Sequence, residues 1–240
     1  MREESTYKNL TRDLRSYATP ERAEVSTSFF KTRKGEYGGG DIFIGVTMPD
    51  LRKVAKIYPD LDLSDIKKLL KSTIHEERLA ALIILVDQYK KGRPKQKKMI
   101  YSFYLSHTRS VNNWDLVDSS AHQIVGEYLS DKNKKILEKL ARSKNLWERR
   151  IAIVATFAFI SRGEDEWTFR ISALLMNDPH DLIHKACGWM QREAGKRVSE
   201  DNLCGFLDMY APSMPRTMLR YAIERFSPSQ RSAYLKIIKK

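Results

Sequence analysis

The segment Asn112–Ser120 reads NNWDLVDSS. On a helix Trp114 and Asp118 stand four residues apart on one face, whereas Asp115 points well away from it. A carboxylate one turn from an indole is a place to hold a positive charge, because the π-face and the anion both attract it. The alternative use of Asp118 is a cap, or an ion pair with an arginine of a neighbouring segment. A second cluster, Lys185–Lys196 (KACGWMQREAGK), sets Trp189 one turn from Arg192, with Gly188 leaving space beside the indole. A third, Trp147–Ile153 (WERRIAI), carries Arg149 and Arg150 in a first helical turn. Adjacent side chains diverge on a helix, so at most one of these arginines reaches a ligand and the other is a solvated charge. Trp147 and Trp167 lack such company and are expected to pack between neighbouring helices.

The elements that must position these residues are helices. His75–Lys91 has apolar residues at 79, 82, 83 and 86, the spacing of one helical face. Similar stretches start near Val111, Asn145, Pro179 and Pro215, at intervals of 36, 34, 34 and 36 residues. Shorter helical segments lie at Leu63–Lys71, Pro94–Ser106, Asp131–Arg142, Asp165–Met176 and Ser199–Met209. Ser64, Ser130, Asp178 and Ser199 suit N-caps; Pro94, Pro179 and Pro215 suit a first turn. A period of about 35 residues with two helices per unit is the signature of an α-solenoid. The tetratricopeptide pattern is absent. Openings such as EERLAAL, WERRIAI, IHKACGW and PRTMLRY resemble HEAT-like repeats. The expected fold is therefore all-α, a solenoid of antiparallel HEAT-like helix pairs curved around a concave basic groove. Residues 1–240 form one domain in this reading, with N-terminal helices and a glycine-rich connector over 1–60 and helix-pair repeats over 61–240. The connector holds KGEYGGGDIFIGVTM at 34–48 and a short β-like run at Ile42–Val46. It is a poor phosphate loop, since no Gly-Lys-Ser/Thr follows and no strand precedes.

Composition narrows the partners. The 43 Lys and Arg exceed the 30 Asp and Glu by 13, at a pI near 9.6, which draws polyanions, nucleic acid first. The basic run KKGRPKQKK at Lys90–Lys98 contains no acid; it either grips phosphates or is a solvated turn between helices. The start, MREESTYKNL, has no apolar segment behind its charges, and the longest apolar run, Ile151–Ile160, is too short for a bilayer. A cytoplasmic protein, with no membrane partner, is expected. Cys187 and Cys204 form no Cys-x-x-Cys pair and read as small buried hydrophobes. His180 and His184 share a helical face, but no metalloprotease carboxylate lies between them, so no metal site is expected.

Taken together, WDLVD, WERRIAI and KACGWMQRE, at these separations in a helical chain, resemble the AlkD-like DNA alkylation-repair family, DNA glycosylases built from HEAT-like repeats. PERAE at 20–24, FFKT at 29–32 and EYGGGDIFIGV running into MPDLRKVAK resemble its N-terminal half. The resemblance extends from about residue 10 to 226. It implies Asp118 as the catalytic aspartate, Trp114 and Trp189 as the indoles flanking a lesion, and Arg150 as an arginine on the DNA backbone. It further implies that Arg192 of the GWxxRE motif faces DNA, with Lys185 as a further cation. Phe29 or Phe30 stands where the family has a DNA-facing tyrosine, without its hydroxyl. Gln191 replaces an aliphatic residue.

The chemistry so implied suits these side chains. A purine alkylated at N3 or N7 is cationic, so its glycosidic bond is already weakened and needs no strong general acid. One carboxylate can then stabilise an oxocarbenium-like sugar and orient a water, where other glycoside hydrolases need two. Indole faces favour a nearby cation by roughly 0.5–2 kcal/mol. The family is thought to hold the nucleotide stacked in an open groove rather than flipping it. The expected activity is a monomeric, monofunctional glycosylase on alkylated duplex DNA without metal or organic cofactor. The alternative is a non-catalytic binder of unusual DNA structures or of a protein partner; a carboxylate facing phosphates favours the enzyme.

Overall fold

The computed structural model describes residues 6–237. It is all-α: among the described residues there is no strand, only an isolated parallel bridge between Ile42 and Ile74. The chain packs as two compact units that divide between Ser120 and Ala121. The first holds α1 (Tyr7–Arg15), α2 (Pro20–Phe29), α3 (Met48–Ala55), α4 (Leu63–Leu70), α5 (His75–Lys91) and α6 (Pro94–Ser106), and nearly all of α7 (Trp114–Ala121). The second begins with a π-helical turn, His122–Gly126. It continues through α8 (Glu127–Leu129), α9 (Lys135–Ala141), α10 (Leu146–Val154), α11 (Phe157–Ile160), α12 (Glu166–Leu174), α13 (Asp181–Arg197), α14 (Glu200–Tyr210), α15 (Arg216–Ala222) and α16 (Pro228–Lys236).

The predicted periodicity survives in the pairing. Helix α4 packs on α5, α9 on α10, α12 on α13, and α13 on α14 and α15. The helices opening the repeats begin at 75, 114, 146, 181 and 216, within three residues of their predicted starts. Caps differ more. Ser199 caps α14 by accepting from Asn202 N, but α4, which starts at Leu63 as expected, is capped by Asp62 rather than Ser64, with Asp62 accepting from Asp65 N. Asp178 does not cap α13; it is held by Arg149 at 2.5 Å, and His180 Nδ1 takes the Leu182 N–H instead. Ser130 is likewise displaced, since α9 begins only at Lys135.

Helix α5 is not amphipathic. Beyond the predicted face, His75, Glu76, Glu77 and Arg78 are also buried, because α1, α3, α4 and α6 surround the helix. Its charged first turn is spent inside the unit. Cys187 is buried as expected, and Cys204 is half-exposed. In α2 no residue is buried.

Two glycines serve close approach. Gly45 has φ +80°, and a Cβ there would lie 2.1 Å from the Thr19 carbonyl oxygen. At Gly188 a Cβ would fall 2.4 Å from the Met218 carbonyl oxygen and 2.5 Å from Tyr221 Cβ, so this glycine lets α13 and α15 touch rather than clearing space for the indole. Gly205, inside α14 and exposed, has nothing within 4 Å of its would-be Cβ. Gly188→Ala should therefore destabilise by roughly 1–3 kcal/mol through overpacking. Gly205→Ala should stabilise by about 0.5–1 kcal/mol. Denaturant melts of the two variants check the contrast, and equal effects would contradict it.

Candidate functional site

In the first unit the site is built around α7. Asn113, fully buried, accepts from Trp114 N through Oδ1 at 2.8 Å, and Asp115 Oδ1 accepts from Leu116 N at 2.8 Å. These contacts start the helix so that Trp114 opens it and Asp118 follows one turn later. Trp114 and Asp118 are both half-buried. Asp118 lies near Tyr104, whose hydroxyl meets Ser120 Oγ at 2.9 Å. Burial pushes the Tyr104 phenol up, and the charge of Asp118 adds to the effect.

Asp115 turns to the interior, where it meets a residue the sequence reading did not single out. His75, 1% exposed, donates from Nε2 to Asp115 at 2.8 Å and from Nδ1 to Asp41 at 3.0 Å. Carboxylates only accept, so the assignment that satisfies both bonds is an imidazolium. Burial alone would favour the neutral ring; its hydrogen bonds to Asp115 and Asp41 outweigh it and raise the His75 pKa. Asp41 also accepts from Arg78 at 2.6 Å and from Asn113 at 3.2 Å. Burial would raise its pKa, but His75 and Arg78 hold it below the usual carboxylate value.

The glycine-rich segment delivers Asp41 to this place. A Cβ at Gly38 would strike the Phe30 carbonyl oxygen at 2.3 Å, so the chain can turn inward there only without a side chain. Beyond Asp41 the segment is no free connector. His75 N donates to the Ile42 carbonyl at 2.8 Å, and the Glu76 carboxylate accepts from the amides of Ile44, Gly45 and Val46. The β-like run thus pairs with a side chain instead of a strand.

An aromatic stack continues outward from His75. Phe43 lies on its ring at 4.5 Å, a face contact that favours the charged imidazole. Phe30 is sandwiched between Phe43 at 4.9 Å and Trp114 at 5.1 Å, nearly parallel to both. Phe29 touches the Trp114 edge at 5.9 Å and is 63% exposed. Trp114 therefore offers a ligand only the face away from Phe30. Of the two phenylalanines, Phe29 faces solvent and Phe30 fills the stack. Beside His75 and Asp115, under α2, lies a cavity of about 560 Å³ whose lining includes Val25, Phe43, Met48 and Leu79 together with Glu21 and Arg22.

In the second unit Trp189 is half-buried on α13, 6.4 Å from the Phe157 ring. Arg150, 5% exposed, donates to the Leu182 carbonyl at 2.6 Å. Its neighbour Arg149 is the partner of Asp178. Arg192 is bound by Glu224 and by Glu193 at 3.2 Å, so most of its charge is neutralised within the unit. Lys185 pairs with Asp181 at 2.8 Å. Gln191 is fully buried, and its Oε1 has no hydrogen-bond partner.

A family model described as DNA alkylation repair enzyme matches residues 10–226. The chain belongs to that family. No curated protein matches it. Among solved structures, the "Predicted DNA alkylation repair enzyme from Enterococcus faecalis" is similar, with a TM-score of 0.67 at 13% identity. The likeness covers 88% of this chain and 97% of that one, a likeness of fold. Among the described residues there is no helix long and apolar enough to cross a membrane.

His75 makes the stability of this family member depend on pH in a definite direction. A group whose pKa is raised in the folded state stabilises below its unfolded value and ceases to do so as pH rises through its folded one. Stability should thus fall as pH climbs from about 6.5 through the raised His75 pKa, by at most ~1.4 kcal/mol per pH unit for one proton. Urea titrations from pH 6 upward should show this slope in wild type and a flatter one in His75→Gln. Parallel curves would remove the imidazolium from the account.

Proposed function

We propose that the protein is a monofunctional DNA glycosylase that hydrolyses the N-glycosidic bond of cationic N3- or N7-alkylated purines in duplex DNA. The observation that carries this reading is the pairing of Asp118 and Trp114. A half-buried carboxylate stands one turn from an indole that has one face packed and the other open, in a member of a DNA alkylation repair enzyme family. The open face would attract the cationic base. Asp118 would stabilise the oxocarbenium-like sugar and orient the attacking water. Trp189, half-buried in the second unit, is the other indole that the family resemblance implies for the reaction. Phe29, as the exposed aromatic beside Trp114, would meet the sugar-phosphate chain, and Phe30 would brace the indole from behind.

The cations contribute unequally in this reading. Arg150 enters as a pinned charge, with one amino group spent on the Leu182 carbonyl. Lys185 and Arg192 carry carboxylate partners that phosphates would have to displace, and Glu224, at 53% exposed, is the more accessible of the two on Arg192.

Duplex DNA treated with a methylating agent, incubated with protein and a chelator, should release N3-methyladenine or N7-methylguanine. Asp118→Asn should abolish release while leaving folding and DNA affinity near wild type. Asp115→Asn should act differently. It strips one partner from a buried ion pair and should cost roughly 3–5 kcal/mol of stability. Binding without release by wild type would favour a non-catalytic binder.

The four tryptophans separate function from packing. Trp147 is 7% exposed, so Trp147→Ala should lose roughly 3–5 kcal/mol. Trp114→Ala and Trp189→Ala should melt closer to wild type and cleave slowly. Trp167, expected to pack, is half-exposed under the Arg170 guanidinium at 5.0 Å. Its loss should be milder than that of Trp147 and should leave excision intact. Thermal melts beside single-turnover rates decide the assignment; a collapse confined to Trp114→Ala and Trp189→Ala would invert it.

A further inference from the structure

The turn between α5 and α6 concentrates charge that the rest of the unit does not use. Lys90, Lys91, Arg93, Lys95, Lys97 and Lys98 fall within nine residues, and five of the six are exposed. Lys97 is half-buried over the Tyr89 ring at 5.4 Å. None of the six is in an ion pair among the described residues, whereas Lys68, Lys132 and Lys185 hold carboxylates.

The local electrostatics oppose this arrangement. Lys90 and Lys91 close α5, where cations complement the negative end of the helix dipole. Lys95, Lys97 and Lys98 follow in the opening turns of α6, at its positive end. That turn contains no acid, Pro94 fills its first position, and Arg93 provides no side-chain cap. A merely solvated turn gains nothing from lysines placed against the dipole. An anion lying along the turn offsets both the repulsion between lysines and the bare helix end.

We propose that this turn is a second phosphodiester-binding surface, gripping the backbone of duplex DNA without regard to base or lesion. The inference rests on the reading that the protein acts on duplex DNA, and it assigns the sequence-independent part of that binding to Lys90–Lys98. Phosphate contacts release counterions, so each lysine engaged should appear as about 0.9 in the log–log salt slope. Such contacts position a protein on DNA and carry no sequence information.

The test compares wild type with Lys91→Gln/Lys95→Gln/Lys98→Gln, three exposed positions whose loss removes no packing contact. Anisotropy titrations use duplexes of about 30 base pairs, one undamaged and one bearing N7-methylguanine, across salt concentrations. The triple variant should bind both duplexes about tenfold more weakly at low salt, with a salt slope shallower by roughly 2–3. Its melting temperature should stay near wild type, because losing Lys95 and Lys98, which oppose the α6 dipole, offsets losing Lys91, which complements that of α5. Unchanged affinity and slope for a folded variant would overturn the proposal, and so would a loss confined to the methylated duplex, which would place the turn in the lesion site. A third arm uses vesicles of phosphatidylcholine and phosphatidylserine. If the variant loses vesicle binding and keeps DNA binding, the surface is a membrane contact and the proposal falls. Failure of wild type to bind either duplex would sink the proposed function as well, whereas normal wild-type binding with an unaltered variant sinks this inference alone.

Discussion

One buried cation organises the first unit. His75, held between Asp41 and Asp115, ties the glycine-rich segment, the start of α5 and the start of α7 to a single ring. Burying ions is costly, and the arrangement is tolerable because two carboxylates face two cations, His75 and Arg78, with each hydrogen bond directed. Removing any one member leaves an uncompensated charge inside. The cluster therefore specifies how these elements meet more than it adds net stability. Trp114 depends on it twice, once through Asp115 in its own helical turn and once through Phe43 and Phe30, which carry the contact from imidazolium to indole.

A basic protein need not have many available cations. In the second unit Arg149, Arg162, Arg170, Arg192 and Arg197 are each committed to carboxylates, and Arg150 is buried against a carbonyl. Each such pair uses one acid as well as one cation, so the formal surplus of +13 is carried by cations outside these pairs. The α5–α6 turn stands out because six cations outside these pairs fall within nine residues there.

This explains what the sequence could and could not reveal. The 35-residue period, the bounds of α5 and α6, and the placement of Trp114 and Asp118 one turn apart follow from local geometry, which spacing encodes directly. The motif pattern also led to the family. The role of His75 was hidden because its partners lie 34 and 40 residues away, and a charged first turn in a helix normally signals a solvated end. The available hint was His75 and Arg78 on one helical face, with an aspartate closing a run of glycines. The states of Arg150 and Arg192 were hidden for the same reason: the sequence shows a positive charge, while the Leu182 carbonyl that pins Arg150 and the Glu224 carboxylate that pairs with Arg192 each lie 32 positions on. Gln191, which stands in place of an aliphatic residue, lies in the interior.

Helix α2 has a consequence of another kind. It buries no residue, a cavity lies beneath it, and its inward anchor is Phe30 at its C-terminal end, the ring that backs Trp114. Thr19 ties its N-terminal end to Ile44 and Gly45, so withdrawal of the Phe30 ring would expose its C-terminal turn first, and exchange of those amides with solvent deuterium would report local opening rather than global unfolding. A molecule settling on the outer face of Trp114 stiffens the indole against Phe30 and thereby slows exchange along α2. The helix is a clock for occupancy of the indole, readable without any chemistry taking place.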